Sequence, residues 1–312
     1  MHKYILRRLL MMIPVVLGVL LIVFTIMYLT PGDPVRILLG DNARAEDIER
    51  LRGEFGLDDP FFVQFFNYVV GVVTRFDLGT SLATRRPVSV EILERFPTTF
   101  YLAVLSAVVA VILGVTFGII SATKQYSAFD NIVTGVGLFG VSMPSFWQGL
   151  MCIIIFSVHL NWLPATGSYG LRYFIMPVFV LSTTSAATIM RLTRSTMLEV
   201  IRQDYIRTAR AKGQSERNVI IKHALRNSMI PVATLVGIQF GFLLGGSVLV
   251  EAIFAIPGLG NYTVAAIRGR DFPVVQGGVL FLAIVFSFVN LLVDILYSFL
   301  DPRIKSLYKG GR

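Results

Sequence analysis

Charge is what this sequence has least of. Of its 312 residues only 15% are Asp, Glu, Lys or Arg, while 54% are hydrophobic; soluble domains carry about 25% charged residues. Such a chain lacks the polar surface of an ordinary cytosolic enzyme, and the same apolar excess excludes disorder. Cysteine is nearly absent. Cys152 stands alone, so no internal disulfide forms and no redox compartment can be read. The three histidines, His2, His159 and His223, all fall outside the long apolar spans. There is no H-E-x-x-H and no serine–histidine pair at membrane depth, which speaks against intramembrane catalysis. Nor is there a G-x-x-x-x-G-K-[ST] sequence, so the chain has no P-loop with which to bind and hydrolyse ATP.

What is present is a set of long uncharged runs. A helix needs about 20 apolar residues to cross a bilayer. The sequence predicts six such helices, at about 9–29, 100–122, 132–158, 173–193, 228–250 and 275–299. The first follows Lys3, Arg7 and Arg8 but is too long for a cleaved signal core, and Thr30-Pro31-Gly32-Asp33-Pro34 follows it in place of a small-residue cleavage site; it reads as a retained anchor. The run Phe61–Thr74 is too short to cross and reads as an interfacial or packed outer helix.

Lys and Arg then orient the chain. With the amino terminus inside, the inner segments hold Lys3, Arg7 and Arg8, then Lys124, then nine basic residues between Arg191 and Arg226, then Arg303, Lys305, Lys309 and Arg312. The two short outer loops hold only Arg172, Arg268 and Arg270. The long outer loop, 30–95, holds eight basic residues, but long loops weigh little in this rule. The net charge of +9 therefore follows from topology, and nucleic acid is not needed to explain it.

Apart from Arg191 at the inner end of the fourth span, Asp294 is the only charged side chain within a predicted span, near its inner end. It reads as an interfacial carboxylate paired with Arg303 or a backbone donor. The absence of charge at mid-depth speaks against a transporter coupled to its own ion gradient. The spans are rich instead in small and polar residues. Gly114 and Gly118 lie four apart, and Gly237, Gly241 and Gly245 form a double G-x-x-x-G ladder, a spacing that lets helix backbones approach. Pro144, flanked by Ser142 and Ser145, should kink the third span. These residues read either as ordinary helix packing or as a wettable, flexing pathway.

The stretch 194–227 is too long for a turn between spans. Leu198, Ile201, Tyr205, Ala209 and Lys212 recur at helical steps. Gly213 is a natural stop, and Ser215 with Glu216 can start a second helix that runs toward Arg226, with Pro231 opening the fifth span. Arg207, Arg210 and Lys212 are predicted to be exposed, and Thr208, Ala209 and Ala211 are small enough for a close partner. The alternative is a basic loop resting on anionic lipid headgroups.

Tyr205-Ile206-Arg207-Thr208-Ala209-Arg210-Ala211-Lys212-Gly213 resembles the EAA loop of binding-protein-dependent ABC importer permeases, and most of all the dipeptide/oligopeptide/nickel/glutathione branch. The general pattern is E-A-A, three residues, then G. Ala209 and Gly213 match it, while Arg207 and Thr208 stand where the wider family has Glu and Ala. The resemblance runs along nearly the whole chain. It takes in Pro31-Gly32-Asp33-Pro34, Asp77-Leu78-Gly79-Thr80-Ser81, Arg86-Pro87-Val88, Ser142-Met143-Pro144-Ser145-Phe146, His223-Ala224-Leu225-Arg226-Asn227, Pro257-Gly258-Leu259-Gly260 and Asp301-Pro302-Arg303.

The resemblance implies an all-α integral membrane protein of the type I ABC importer permease fold, with six transmembrane helices and a long periplasmic loop after helix 1. Residues 1–95 would hold the first helix and that loop, 96–299 the type-1 transmembrane domain with coupling loop 194–227, and 300–312 a cytoplasmic tail. It implies a bacterial inner-membrane protein with both termini cytoplasmic. It also implies a second six-helix permease subunit, two cytoplasmic ABC ATPase subunits and a periplasmic solute-binding protein as partners, alongside membrane lipid. The chain itself would bind no cofactor; ATP and Mg would be used by the partner ATPase. The ATPase contact would be Tyr205, Arg207, Thr208, Ala209, Ala211, Lys212 and Gly213, and the cargo peptides or peptide-like solutes. Two other classes stay open from the residues alone: a stand-alone channel or Na⁺-driven carrier, and a membrane scaffold without transport.

Overall fold

A computed structural model describes residues 2–32, 34–40 and 43–300. Among them regular structure is helical, apart from one isolated antiparallel bridge between Thr80 and Pro87. The chain order is α1 (His2–Leu29), α2 (Pro34–Leu39), α3 (Ala45–Glu54), α4 (Phe61–Arg75), α5 (Val88–Thr123), α6 (Ala128–Ser142), α7 (Ser145–Cys152) and α8 (Leu171–Ile201). Then come α9 (Asp204–Ala211), α10 (Glu216–Asn218), α11 (Arg226–Ile253), α12 (Leu259–Gly269) and α13 (Phe272–Leu300). Two π-helical turns, Ile153–His159 and Val219–Leu225, prolong α7 and link α10 to α11. Among the described residues, five helical stretches are long and apolar enough to cross a bilayer, and six if the bent pair α6 and α7 counts as one span.

Four sequence expectations need correction. The third span is not one kinked helix: it breaks at Met143–Pro144 and turns by 104°. Proline lacks an N–H and disfavours helical geometry in the residue before it; Met143 is extended, and Pro144 caps a new helix instead of bending the old one. Pro231 does not open the fifth span, because the helix is already running from Glu216 and Pro231 lies inside it, one turn beyond the π segment. The outer connection after span five is not a bare loop but holds α12. Span two also begins earlier than expected. At 36 residues α5 is about 54 Å long, well beyond the ~30 Å apolar core of a bilayer.

The described residues divide into two compact units. The first comprises 2–99 and 257–287. Its core is Val88, Ile92, Leu259, Ala266, Val274 and Val275, with Met27, Phe96 and Phe281 packed on it. The expected outer helix is α4. Phe24 of α1 meets Phe61, Phe65 and Tyr68, while Phe62 and Phe66 on its other side are exposed. It is thus packed on one face and apolar on the other. The turn before α5 is fixed by polar bonds: the Asp77 carboxylate accepts from Gly79 N–H at 2.8 Å, and Ser81 Oγ donates to Asp271 at 2.5 Å. Glu91, 1% exposed, accepts from Tyr262 and from Thr84 at 3.1 Å, with Arg95 at 3.6 Å. Burial, and then the bond to Glu91, push the Tyr262 phenol above its ordinary pKa.

The second unit comprises 100–256 and 288–300. Here α8 is the most buried of the long helices. A Cβ added at Gly114 would stand 2.8 Å from Ala186 O and Ile189, and one at Gly118 2.6 Å from Thr193. The pair expected from sequence is therefore where α5 touches α8. The hydroxyls of α8 largely bond back to their own helix, as Thr183 does to Phe179 O at 2.7 Å and Thr188 to Thr184 O at 2.9 Å, which is how a buried helix carries so many polar side chains.

Candidate functional site

The expected coupling segment forms a helix–glycine–helix. Leaving α8, the chain turns through extended Gln203 into α9, whose only buried residue is Ile206. Eight residues are too few for a stable isolated helix, so α9 depends on its socket. Ile206 packs with Met197 of α8, Ala122 of α5, and Val219 and Ala224 of the π segment. Gly213 ends the helix at φ +77°, the left-handed conformation that glycine adopts at no steric cost. Ser215 then caps the next helix by accepting from Asn218 N–H. Arg210 closes the elbow with two bonds to Glu216, at 2.7 and 3.1 Å, and that bond raises its pKa above the ordinary value. Asn227 Nδ2 donates to Tyr205 Oη at 2.8 Å, tying α9 to the start of α11.

Tyr205, Arg207, Thr208, Ala211, Lys212 and Gly213 are all exposed on this elbow. Ala209 differs: it is half-buried and packs against the Ile206 socket. The face left open therefore carries a ring, two cations and small residues, with no covering element among the described residues.

The second group of candidates does not gather at one place. Ser142 ends α6, its hydroxyl bonded to Leu138 O at 2.8 Å, and Pro144 starts α7, both exposed. Gly237 makes a close approach, since an added Cβ would stand 2.3 Å from Val293 of α13. Gly241 is buried, but Gly245 meets nothing within 4 Å. The ladder thus begins as packing and ends on open surface. Asp294 is half-buried on α13; Arg303, its expected partner, lies outside the described residues, as does the Asp301-Pro302-Arg303 sequence.

Sequence reasoning missed one constellation beside the Ile206 socket. Asp130, 2% exposed in the first turn of α6, faces Arg194 of α8. Arg194 Nε and Nη2 donate to its two carboxylate oxygens, each at 2.8 Å. Ser121 of α5 donates to the same carboxylate, as does Tyr126 N–H at 3.0 Å. The only linear signal is a lone acid and a basic residue at adjacent span ends, 64 positions apart.

The helical arrangement is that of ABC importer permeases. It superposes on an inward-facing structure of the MetNI methionine ABC transporter with a TM-score of 0.58 at 18% identity, covering 67% of this chain and 96% of that one. An amino acid ABC transporter gives 0.53 at 15% identity, over 69% and 94%. Residues 114–306 match the family described as binding-protein-dependent transport system inner membrane component, and residues 1–103 match its N-terminal counterpart. The chain belongs to this family. It is 44% identical to the dipeptide transport system permease protein DppB of Alkalihalophilus pseudofirmus over 333 residues, 98% of this chain and all of that one. It is equally identical to the glutathione transport system permease protein GsiC of Salmonella choleraesuis over 305 residues, 98% and 99% of the two. The chain is accordingly a multi-pass inner-membrane permease component of a binding-protein-dependent ABC importer. It is not itself an enzyme, and works with a separate ATPase and a binding protein.

Proposed function

We propose that this permease provides half of the pathway for peptides or peptide-like solutes, paired with a second six-helix permease subunit over two cytoplasmic ATPases. The relatives' names support the solute class. In this reading both termini and the loop 194–227 face the cytoplasm, and the long segment after α1 faces the binding protein. Residues 1–95 serve as the first transmembrane helix and its outer loop, 96–299 as the type-1 transmembrane domain and 300–312 as a tail. ATP and Mg are bound by the partner ATPase and not by this chain. Pro144, Ser142, Gly237, Gly241 and Gly245 act as packing or pathway positions.

The observation that carries the coupling assignment is the uncovered face of α9 on an elbow anchored from beneath by Ile206. Tyr205, Arg207, Thr208, Ala211, Lys212 and Gly213 contact the ATPase, while Ala209 supports them from beneath. Rigid-body movement of such an elbow is how a cytoplasmic closure reaches the membrane helices. In the assembled, reconstituted importer, Gly213→Pro with Ala209→Asp should abolish transport-coupled ATPase activity. Arg207→Glu, at a side chain 75% exposed, should weaken it without disturbing the fold. Full coupling in both variants would overturn the assignment.

A further inference from the structure

The Asp130–Arg194 pair is built to hold three helices together at the end that carries the coupling elbow. Its carboxylate is almost wholly buried and receives the guanidinium fork, the Ser121 hydroxyl and the Tyr126 N–H. Thr134 Oγ1, one turn along α6, stands 3.5 Å away. Paired, bidentate charges satisfied in this way fix geometry sharply, and removing one partner strands the other. Arg194 lies three residues before Met197 on α8, and Met197 forms the floor of the Ile206 socket. Ser121 is the neighbour of Ala122, which lines the same socket. Polar clamp and apolar socket therefore use consecutive residues of α5 and adjacent turns of α8.

One difference separates the two. The socket grips α9 to α5 and α8, whereas the clamp ties α6 to that group by charge, beside the packing of Gly137 and Gly140 of α6 against Met190 and Thr183 of α8. From Asp130, α6 runs to the break at Pro144, beyond which Gln148 of α7 donates to Thr183 of α8 at 3.1 Å.

We propose that Asp130 and Arg194 are positioning residues that make α6 move with the coupling elbow, so that displacement of α9 is delivered to the bend at Pro144. The proposal rests on α9 being the ATPase contact. It adds that α6, and not α8 alone, is carried along.

The test uses the full importer in nanodiscs, with Cys152→Ser and spin labels at Asn131→Cys on α6 and Lys222→Cys on the elbow. Both label sites are exposed and outside the proposed contact. With the clamp intact, the interlabel distance should be the same without nucleotide and with trapped ATP. In Asp130→Asn it should change between the two states, and solute moved per ATP hydrolysed should fall about tenfold, within the range of ordinary coupling energies. Arg194→Lys, which keeps the charge but loses the fork, should recover part of that ratio. A distance that shifts with nucleotide in the intact clamp overturns the proposal, even if Asp130→Asn fails to assemble. So does an unchanged transport ratio in Asp130→Asn. Failure of the α9 assignment itself would be seen separately, as retained coupling in the Gly213→Pro, Ala209→Asp protein.

Discussion

Ile206→Ala isolates what holds the α9 elbow in place. Ile206 is fully buried and is the one buried residue of α9. Truncating a buried Ile costs about 2–5 kcal/mol through lost transfer energy and the cavity left behind. The higher helix propensity of Ala returns at most about 0.5 kcal/mol. Little else anchors α9. The Arg210–Glu216 pair is largely exposed and worth under ~1 kcal/mol; the Asn227–Tyr205 bond adds about 1 kcal/mol. A net loss near 2 kcal/mol raises the open population of α9 about thirtyfold, at 1.4 kcal/mol per tenfold. Hydrogen exchange of peptides covering 204–211 in the purified importer reads this directly. Exchange there should accelerate about thirtyfold while the buried part of α11 keeps its protection, and Ile206→Val should shift it by a few-fold, matching about 0.5–1.5 kcal/mol. Equal exchange in Ile206→Ala and the parent protein would refute the socket argument.

Two further predictions concern packing and charge in each unit. Gly114→Ala places a methyl 2.8 Å from Ala186 O and Ile189 and should destabilise by about 1–3 kcal/mol, seen as a lower unfolding temperature. Gly245→Ala enters open space and should stay within ~0.5 kcal/mol of the parent; equal effects at the two positions would contradict the assigned α5–α8 contact. Tyr262→Phe removes a donor from buried Glu91 and should cost about 1–3 kcal/mol, a cost that should disappear in a double-mutant cycle on a Glu91→Leu background, which offers the phenol no acceptor. Additive effects in that cycle would show that the two side chains are uncoupled.

Much of the α9 elbow's local structure was legible in the chain because its determinants are local. Gly213 takes the left-handed conformation its position implied, Ser215 caps the helix after it, and the exposed basic residues follow from helical spacing. Ala209 shows where the same reasoning stops: small size fits a partner's surface and an internal contact equally well, and its packing beside Ile206 appears only in the folded chain. Pro144 was recognised as a disruption, but a linear reading could not separate a kink from a 104° break. Gly114 and Gly245 look alike in sequence, and their neighbours differ completely.

The sequence by itself determined that this is a helical membrane protein with a structured basic loop and no P-loop of its own, because bilayer thickness, helix period and charge asymmetry act residue by residue along the chain. Only the tertiary structure decided that Asp130 meets Arg194 across 64 residues, that Glu91 is buried against Tyr262, and that α6 turns sharply away at Pro144. A buried charge is tolerated only where partners converge on it from separate helices, and that convergence exists only once the helices have packed.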